Sequence, residues 1–422
     1  MAHHQDVTVV VIGGGPGGLA VAQGLLRHGI RVAVFERDTV RADYVQGFRL
    51  RLRQRGLDAL RANLPPDLFE AFLATTGRSP VASVHVDEQL RPVDSPAALA
   101  GDPDDALAGY SVSRITLRQV LLRGLDGVLT TGLAFTHYEE RADGRVTAWF
   151  DDGSSVTADL LVGADGAQSR VRAQRLPHAR LVDTGMRRLA GKITFAAARA
   201  AGVPDLFFER QVGVRPAGSR GLMVSAHQVD AEAFRAHGLG GNDSTHAGIA
   251  GFHFDNTTDY LWWNTAYRQD ELAPDAVLER ADGARLLDIL LSKVRDWHPD
   301  LRLLIGRSDP STVALLKVRT SEPVDAWAPS RVTLLGDAIH AMTYFRALGG
   351  NTALQDAGVL VAELAAAHRG EKTLDQAVAV YEVALRDHGF EAVRTSLRAL
   401  ERSLAPPPQG VIPARAGTLC LR

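Results

Sequence analysis

The sequence predicts an α/β fold: a parallel-sheet domain, interrupted by a separate sheet-based domain and followed by long helices. Three observations predict it. Residues 7–38 run strand, glycine turn, helix, strand. Two later strands, at 159–163 and 331–335, again lead into turns that pair glycine with aspartate. Between them, residues 181–318 alternate strand-like stretches with looser polar links, the pattern of a second sheet rather than of further crossover units.

The first element, Val7–Ile12, is β-branched and apolar like a buried parallel strand. Gly13, Gly15 and Gly18 then satisfy G-x-G-x-x-G. Such glycines permit a tight turn, close backbone approach to a pyrophosphate, and close packing of the following helix on the sheet. The helix N-terminus offers free N–H groups and a favourable dipole to phosphate. Glu36 closes the second strand at the spacing where a carboxylate accepts from a ribose diol, and Arg37 beside it is assigned to the same site. Strand, helix, second strand and acid together mark a Rossmann-like dinucleotide site.

Residues 48–55 carry arginines at 49, 51, 53 and 55, a period-two strand with one basic face. A helix is expected over 57–73, then strand-like VASVHV and a Pro/Asp loop up to 109. Apolar spacing predicts a helix over 113–125 with Arg114 at its start. Val146–Phe150 and Asp159–Val162 flank an Asp-Asp-Gly turn and are expected to form a hairpin. In the middle block, strands are expected at 192–195, 221–225 and 260–267, and helix over 274–298. Long Ala/Leu-rich helices follow over 351–404, and 405–410 reads as a loose end.

Composition narrows the partners. The 422 residues suffice for two domains, and a net charge of −2 favours neither nucleic acid nor an anionic membrane. A lone cysteine, Cys420, excludes an intrachain disulfide and a cysteine metal cluster. The early apolar run breaks at Gly13, too short to span a bilayer, and no basic n-region or cleavage site precedes it. A cytoplasmic protein without a membrane span, monomeric or homodimeric, is expected.

Two further motifs lengthen the expected cofactor. Asp159–Arg172 reads DLLVGADGAQSRVR, a buried strand, then Asp165 and Gly166, then Ser169 and Arg170 opening a helix. Residues 331–357 read RVTLLGDAIHAMTYFRALGGNTALQDA, a strand into Gly336 and Asp337, then a loop with Gly349, Gly350 and Asn351 leading into a helix. A carboxylate at a strand end can bond ribityl hydroxyls, and a glycine loop at a helix N-terminus can approach a flavin edge. Three such devices suit FAD, with two phosphates, a ribose and a ribityl chain to hold.

Together GGGPGG at 13–18, DGAQSRVR at 165–172 and GDAIH at 336–340 resemble the class A flavoprotein aromatic hydroxylases, with the para-hydroxybenzoate hydroxylase fold, over the whole chain. The resemblance implies FAD, NAD(P)H as co-substrate without its own Rossmann domain, and oxygen activation as a flavin C4a-hydroperoxide. It also implies a FAD domain made of 1–75, 110–180 and 319–370, a substrate domain of 76–109 and 181–318, and C-terminal helices and tail over 371–422. Glu36 is then similar to the adenosine-ribose ligand, and Arg49 and Arg114 to arginines near the flavin. Asp165 resembles an aspartate serving both FAD and NAD(P)H, Asp337 a pyrophosphate or ribityl ligand, and Gly349, Gly350 and Asn351 the loop at the isoalloxazine edge.

Two positions depart from the family pattern. Tyr344 stands where a proline is usual and Ala347 where a glycine is, beside the oxygen-reacting face, so Tyr344 joins Arg49 as a candidate catalytic residue. His340 is expected to be structural. The implied reaction is oxygenation by O2 of a small or medium organic, aromatic or polycyclic substrate. No base is selected among His227, His253 and Tyr260, and Trp262 and Trp263 are both expected in core packing, with lining of the pocket as the alternative. Alternatives of the same fold are a flavin-dependent halogenase, whose W-x-W-x-I-P signature the segment Leu261–Asn264 does not match, and a prenyl or geranylgeranyl reductase. A non-catalytic FAD-binding redox sensor is a third.

Overall fold

The computed structural model describes residues 7–38, 49–80, 82–93, 109–216, 221–240 and 257–404. Position 48, the Pro/Asp loop over 94–108, the polar link at Gly241, Asn242 and Asp243, His253, residues 405–410 and Cys420 lie outside them.

Five parallel strands form the first sheet: β1 (Thr8–Ile12), β2 (Arg31–Glu36), β6 (Leu129–Thr131), β10 (Leu160–Gly163) and β16 (Val332–Leu334), in the order β16-β10-β1-β2-β6. The central strands β1 and β10 are apolar and buried over Val9–Ile12 and Leu160–Gly163 because helices cover the sheet. The helix Pro16–Arg27 packs against Gly349–His368, which packs in turn on the C-terminal helix Leu374–Leu404. A small antiparallel sheet, β7 (Phe135–Glu140), β8 (Val146–Phe150) and β9 (Ser155–Ala158), lies beside it, with the Phe150 ring 4.4 Å from that of Phe35 on β2.

The second large sheet has the order β15-β11-β14-β13-β12-β4, from β15 (Ala314–Ser321), β11 (Leu181–Thr194), β14 (Tyr260–Arg268), β13 (Leu222–His227), β12 (Gln211–Val214) and β4 (Ser83–Val86). Alternation divides its faces. Leu189 and Ile193 of β11, with Leu261 and Trp263 of β14, are buried in a core with Leu287 and Leu290 of the helix Gly283–Lys293. Their sequence neighbours turn the other way. No helix among the described residues is long and apolar enough to cross a membrane.

Several elements differ from the sequence reading. The arginine strand is only β3 (Arg49–Leu52), paired with β5 (Tyr110–Ser113); the Arg53 N–H goes to Asn351 Oδ1 at 2.7 Å, and Arg55 lies in the helix Gln54–Asn63. The segment 57–73 is two helices, because Pro65 and Pro66 interrupt the backbone ladder. The hairpin partner of β8 is β9, whereas β10 joins the parallel sheet; Asp159 Oδ2 accepts from Thr8 N–H at 2.8 Å and Oγ1 at 2.6 Å, fastening that strand to β1. The expected helix over 274–298 divides into Asp275–Leu278 and Gly283–Lys293, restarted by Asp282, which caps the Arg285 N–H at 2.8 Å.

Candidate functional site: a cofactor trough continuous with a sheet-walled cavity

Gly13 sits at φ 113°, and a Cβ there would meet Ala164 O at 2.3 Å, so the turn out of β1 requires glycine. A Cβ on Gly18 would lie 2.2 Å from the Gly13 carbonyl oxygen. The helix Pro16–Arg27 begins at Gly15 with no side-chain cap. Its first-turn N–H groups are therefore left for an anion. Glu36 is held at the rim: Oε2 accepts from Gly14 N–H at 2.7 Å and Oε1 from Asp38 N–H at 3.1 Å. Each oxygen keeps a lone pair that can accept from a diol.

A single cavity of about 1430 Å³ runs from these residues past the two aspartate turns to the second sheet. Ligand pockets for one small molecule occupy roughly 300–1,000 Å³, so this enclosure has room for a long cofactor and a second molecule. Gly13, Gly15, Gly18, Glu36, Arg37, Arg49, Arg114, Asp165, Asp337, Tyr344, Gly349 and Gly350 all line it. Asn351 does not; its side chain bonds Arg53 N–H, Arg51 O at 2.8 Å and Ala347 O at 3.0 Å, clasping the end of β3 to the glycine loop.

Asp165 accepts through Oδ2 from Arg170 N–H at 2.8 Å and Val171 N–H at 3.3 Å, while its buried Oδ1 has no protein partner. Burial pushes this carboxyl up, opposed by its bonds to Ser169 and the helix backbone. Asp337 is open to the cavity yet walled by protein, so burial raises it too, opposed by His340 and Arg114. An orphaned acceptor, an uncapped helix and a glycine that admits no Cβ fit a dinucleotide carrying hydroxyls and phosphates.

The turns are braced by residues that the sequence reading passed over. Arg172 donates to Ala338 O at 2.8 Å and Ala167 O at 2.9 Å, locking the two aspartate turns together. Fully buried Asp356 accepts from Gly336 N–H at 2.9 Å and pairs with His340 Nε2 and His388 Nε2, each at 2.6 Å. His340 is thus structural. The only sequence signal for Arg172 was its place in the DGAQSRVR run.

On the sheet side, Arg49 bonds Ser79 Oγ, Ser111 Oγ at 3.0 Å and Ser225 Oγ at 3.3 Å, with its guanidinium 4.5 Å from the Trp262 ring. Burial lowers it to about 9, so it is a cation at neutral pH. His227, bonded through Nδ1 to Ser111 Oγ at 2.8 Å, is pushed to about 3 by burial and by Arg49 and Lys192. It is neutral and shielded from the cavity, and Tyr260 is pushed above its ordinary value by burial. Neither is poised as a base. Trp262 lines the cavity, whereas Trp263 is core, donating to Ser308 Oγ at 2.7 Å.

The loop after His340 turns at Tyr344, whose carbonyl accepts from Ala347 N–H at 3.1 Å. Arg346 and Ala347 both hold positive φ, 70° and 52°. The Tyr344 ring stacks on Phe345 at 4.6 Å and carries the Arg188 guanidinium 4.4 Å from its centroid. Burial pushes the phenol to about 12, so it stays protonated.

The FAD binding domain family model matches residues 6–227 and 300–395. A dual O-methyltransferase/FAD-dependent monooxygenase from Phaeosphaeria nodorum is 29% identical across 92% of this chain, which covers 45% of it. The chain spans less than half the length of the dual-function fungal relatives it matches. A 3-amino-4-hydroxybenzoate 2-monooxygenase from Streptomyces platensis is 30% identical, covering 85% of this chain and 80% of its own. Among solved structures, a chain described as an FAD containing monooxygenase from Photorhabdus luminescens aligns with TM-score 0.79 and 29% identity over 94% of this chain and 98% of its own. A Klebsiella pneumoniae protein complexed with FAD and uric acid shares the fold, with TM-score 0.70 and 23% identity over 95% of this chain and 90% of its own.

Proposed function

Because the chain belongs to the FAD binding domain family, we propose that it is an FAD-dependent monooxygenase that uses NAD(P)H and O2 to hydroxylate a planar aromatic or polycyclic compound. One observation carries this reading: the glycine turn, both aspartate turns and the Trp262 face of the second sheet border the same cavity. In this reading the described parts of 1–75, 110–180 and 319–370 serve the cofactor, those of 76–109 and 181–318 present substrate, and within 371–422 the helix Leu374–Leu404 buttresses the Asp337 loop. Names among the relatives, such as an aminohydroxybenzoate monooxygenase and a urate hydroxylase, support a planar ring substrate.

Gly15 and its helix meet the pyrophosphate, Glu36 the adenosine ribose with Arg37 beside it, and Asp165 and Asp337 the hydroxyl-bearing chain. Bound FAD supplies two-electron chemistry with NAD(P)H and reaction of its reduced ring with O2. The protein's part is placement and exclusion of water: Trp262 and the Tyr344 ring give flat walls for a ring, and the Tyr344 phenol supplies a protonated donor. Arg49 and Arg114 hold positive charge along the cavity.

The test is an NAD(P)H oxidation assay on FAD-loaded protein with O2 uptake recorded, across a panel of phenolic acids and polyphenols. Oxidation and O2 uptake stimulated together by one of them are expected. Stimulated oxidation without O2 uptake would favour a reductase, and failure of either nicotinamide to reduce the flavin would leave only a binding protein.

A further inference from the structure

Arg187 and Arg188 are consecutive on β11 and have opposite fates. Arg187 points into the core side and is saturated: Nε and Nη2 grip Asp275, each at 2.8 Å, while Nη1 meets Asp183 at 2.9 Å. Arg188 points to the cavity. Its partner there is the Tyr344 ring, and among the described residues no carboxylate bonds it. Arg188 is half-buried in the cavity wall, and a cation partly removed from water without a counter-charge gains from an anionic ligand.

The surrounding wall repeats the imbalance. Between Met186 and Lys192 on β11, and between Tyr260 and Arg268 on β14, there is no acidic residue. Trp262 and Asn264 line the cavity from β14, and Arg49, itself bonded to neutral serines, lies against Trp262. Glu279, at the margin, is taken by Lys317 at 2.5 Å. Among the described residues, the β11 and β14 part of the wall therefore offers flat aromatic surface and fixed positive charge and carries no carboxylate of its own.

We propose that Arg188, seated on Tyr344, is a specificity-determining anion site, and that the substrate is a planar aromatic held through a carboxylate or phenolate. The proposal rests on the monooxygenase reading above and specifies its substrate class. A planar guanidinium can bond such an anion through two N–H groups, and the Tyr344 ring beneath fixes its plane. Arg188 and Tyr344 also explain each other: a proline at position 344 would give the guanidinium no aromatic face on which to rest.

Calorimetric titration of FAD-loaded protein with 3-hydroxy-2-naphthoate and with the uncharged 3-hydroxy-2-naphthamide tests this. The acid is expected to bind roughly ten- to a hundredfold more tightly than the amide. Arg188→Gln, or Arg188→Met should the first not fold, is expected to erase that preference while FAD content stays at the parent level. Equal affinity for acid and amide, failure of the acid to bind, or a preference that survives loss of Arg188 would overturn the proposal. Acid preference without O2-coupled NAD(P)H oxidation would sink the monooxygenase reading and leave the anion site standing. Turnover of neutral aromatics alone would do the reverse.

Discussion

Ala347 occupies a left-handed backbone position, φ 52°, that the chain would fill more easily with glycine. A Cβ in that region costs on the order of 1 kcal/mol, partly offset by the extra freedom glycine has when unfolded. Ala347→Gly is therefore expected to raise stability by about 0.5–1 kcal/mol, read as a higher denaturant midpoint; a lower midpoint would mean that the alanine methyl has a packing role. At Tyr344, where that turn starts, chemistry rather than strain is at stake. Tyr344→Phe keeps the ring under Arg188 and removes only the hydroxyl. More H2O2 formed per NAD(P)H oxidised, with FAD retained, is the expected outcome, and unchanged coupling would reduce Tyr344 to an apolar wall. Asp337→Ala removes a cavity-facing carboxylate that the proposed function assigns to cofactor hydroxyls, and weaker FAD retention by about 1–3 kcal/mol is expected; FAD retained as firmly as in the parent would deny Asp337 that role. The sequence pointed to all three positions through the motif around 336–351. It did not point to Arg188, because an arginine in a strand shows its face only once the register with Ala266 and Leu316 is known.

Between elements, the Asp337 turn depends on the C-terminal helix Leu374–Leu404. His388 of that helix and His340 of the turn share Asp356, whose carboxyl the two histidines hold down at about 2 despite burial. Burial lowers His340, but Asp356 more than reverses it, and the net direction is up. The depressed Asp356 stabilises the fold above the ordinary carboxylate range and loses that contribution as pH falls from about 4. The raised His340 contributes fully below about 6.5, and its share is lost as pH rises through its elevated value. Asp356→Asn is accordingly expected to cost about 3–5 kcal/mol, as for a broken buried pair, and to flatten the alkaline limb of melting temperature against pH. An alkaline limb as steep as the parent's would place its origin elsewhere. Element order was largely legible, since apolar runs and glycine turns are local signals. What failed was pairing. Nothing in 146–162 alone shows that β9, and not the more apolar β10, is the hairpin partner of β8; β10 is claimed by β1 through Asp159 and Thr8, more than a hundred residues apart in the chain.

For the whole molecule, two sheets of different construction face one enclosure. The parallel sheet ends in turns built for a cofactor, and the second sheet turns Trp262, Asn264 and Arg188 toward the same space. The cofactor half was legible because phosphate and ribose recognition leaves glycines and acids at fixed spacing. The substrate half was not, because its wall is drawn from β11, β13 and β14 and becomes a surface only when the strands align; Trp262 and Trp263, adjacent in sequence, part company there. The central claim, that this enclosure joins FAD, NAD(P)H and O2 to oxidise an aromatic ring, is met most directly by isotope labelling. Turnover under heavy-isotope dioxygen of whichever phenolic acid most stimulates NAD(P)H oxidation is expected to give a product bearing one labelled oxygen atom, whereas a product without label, or label appearing only in H2O2, would contradict it.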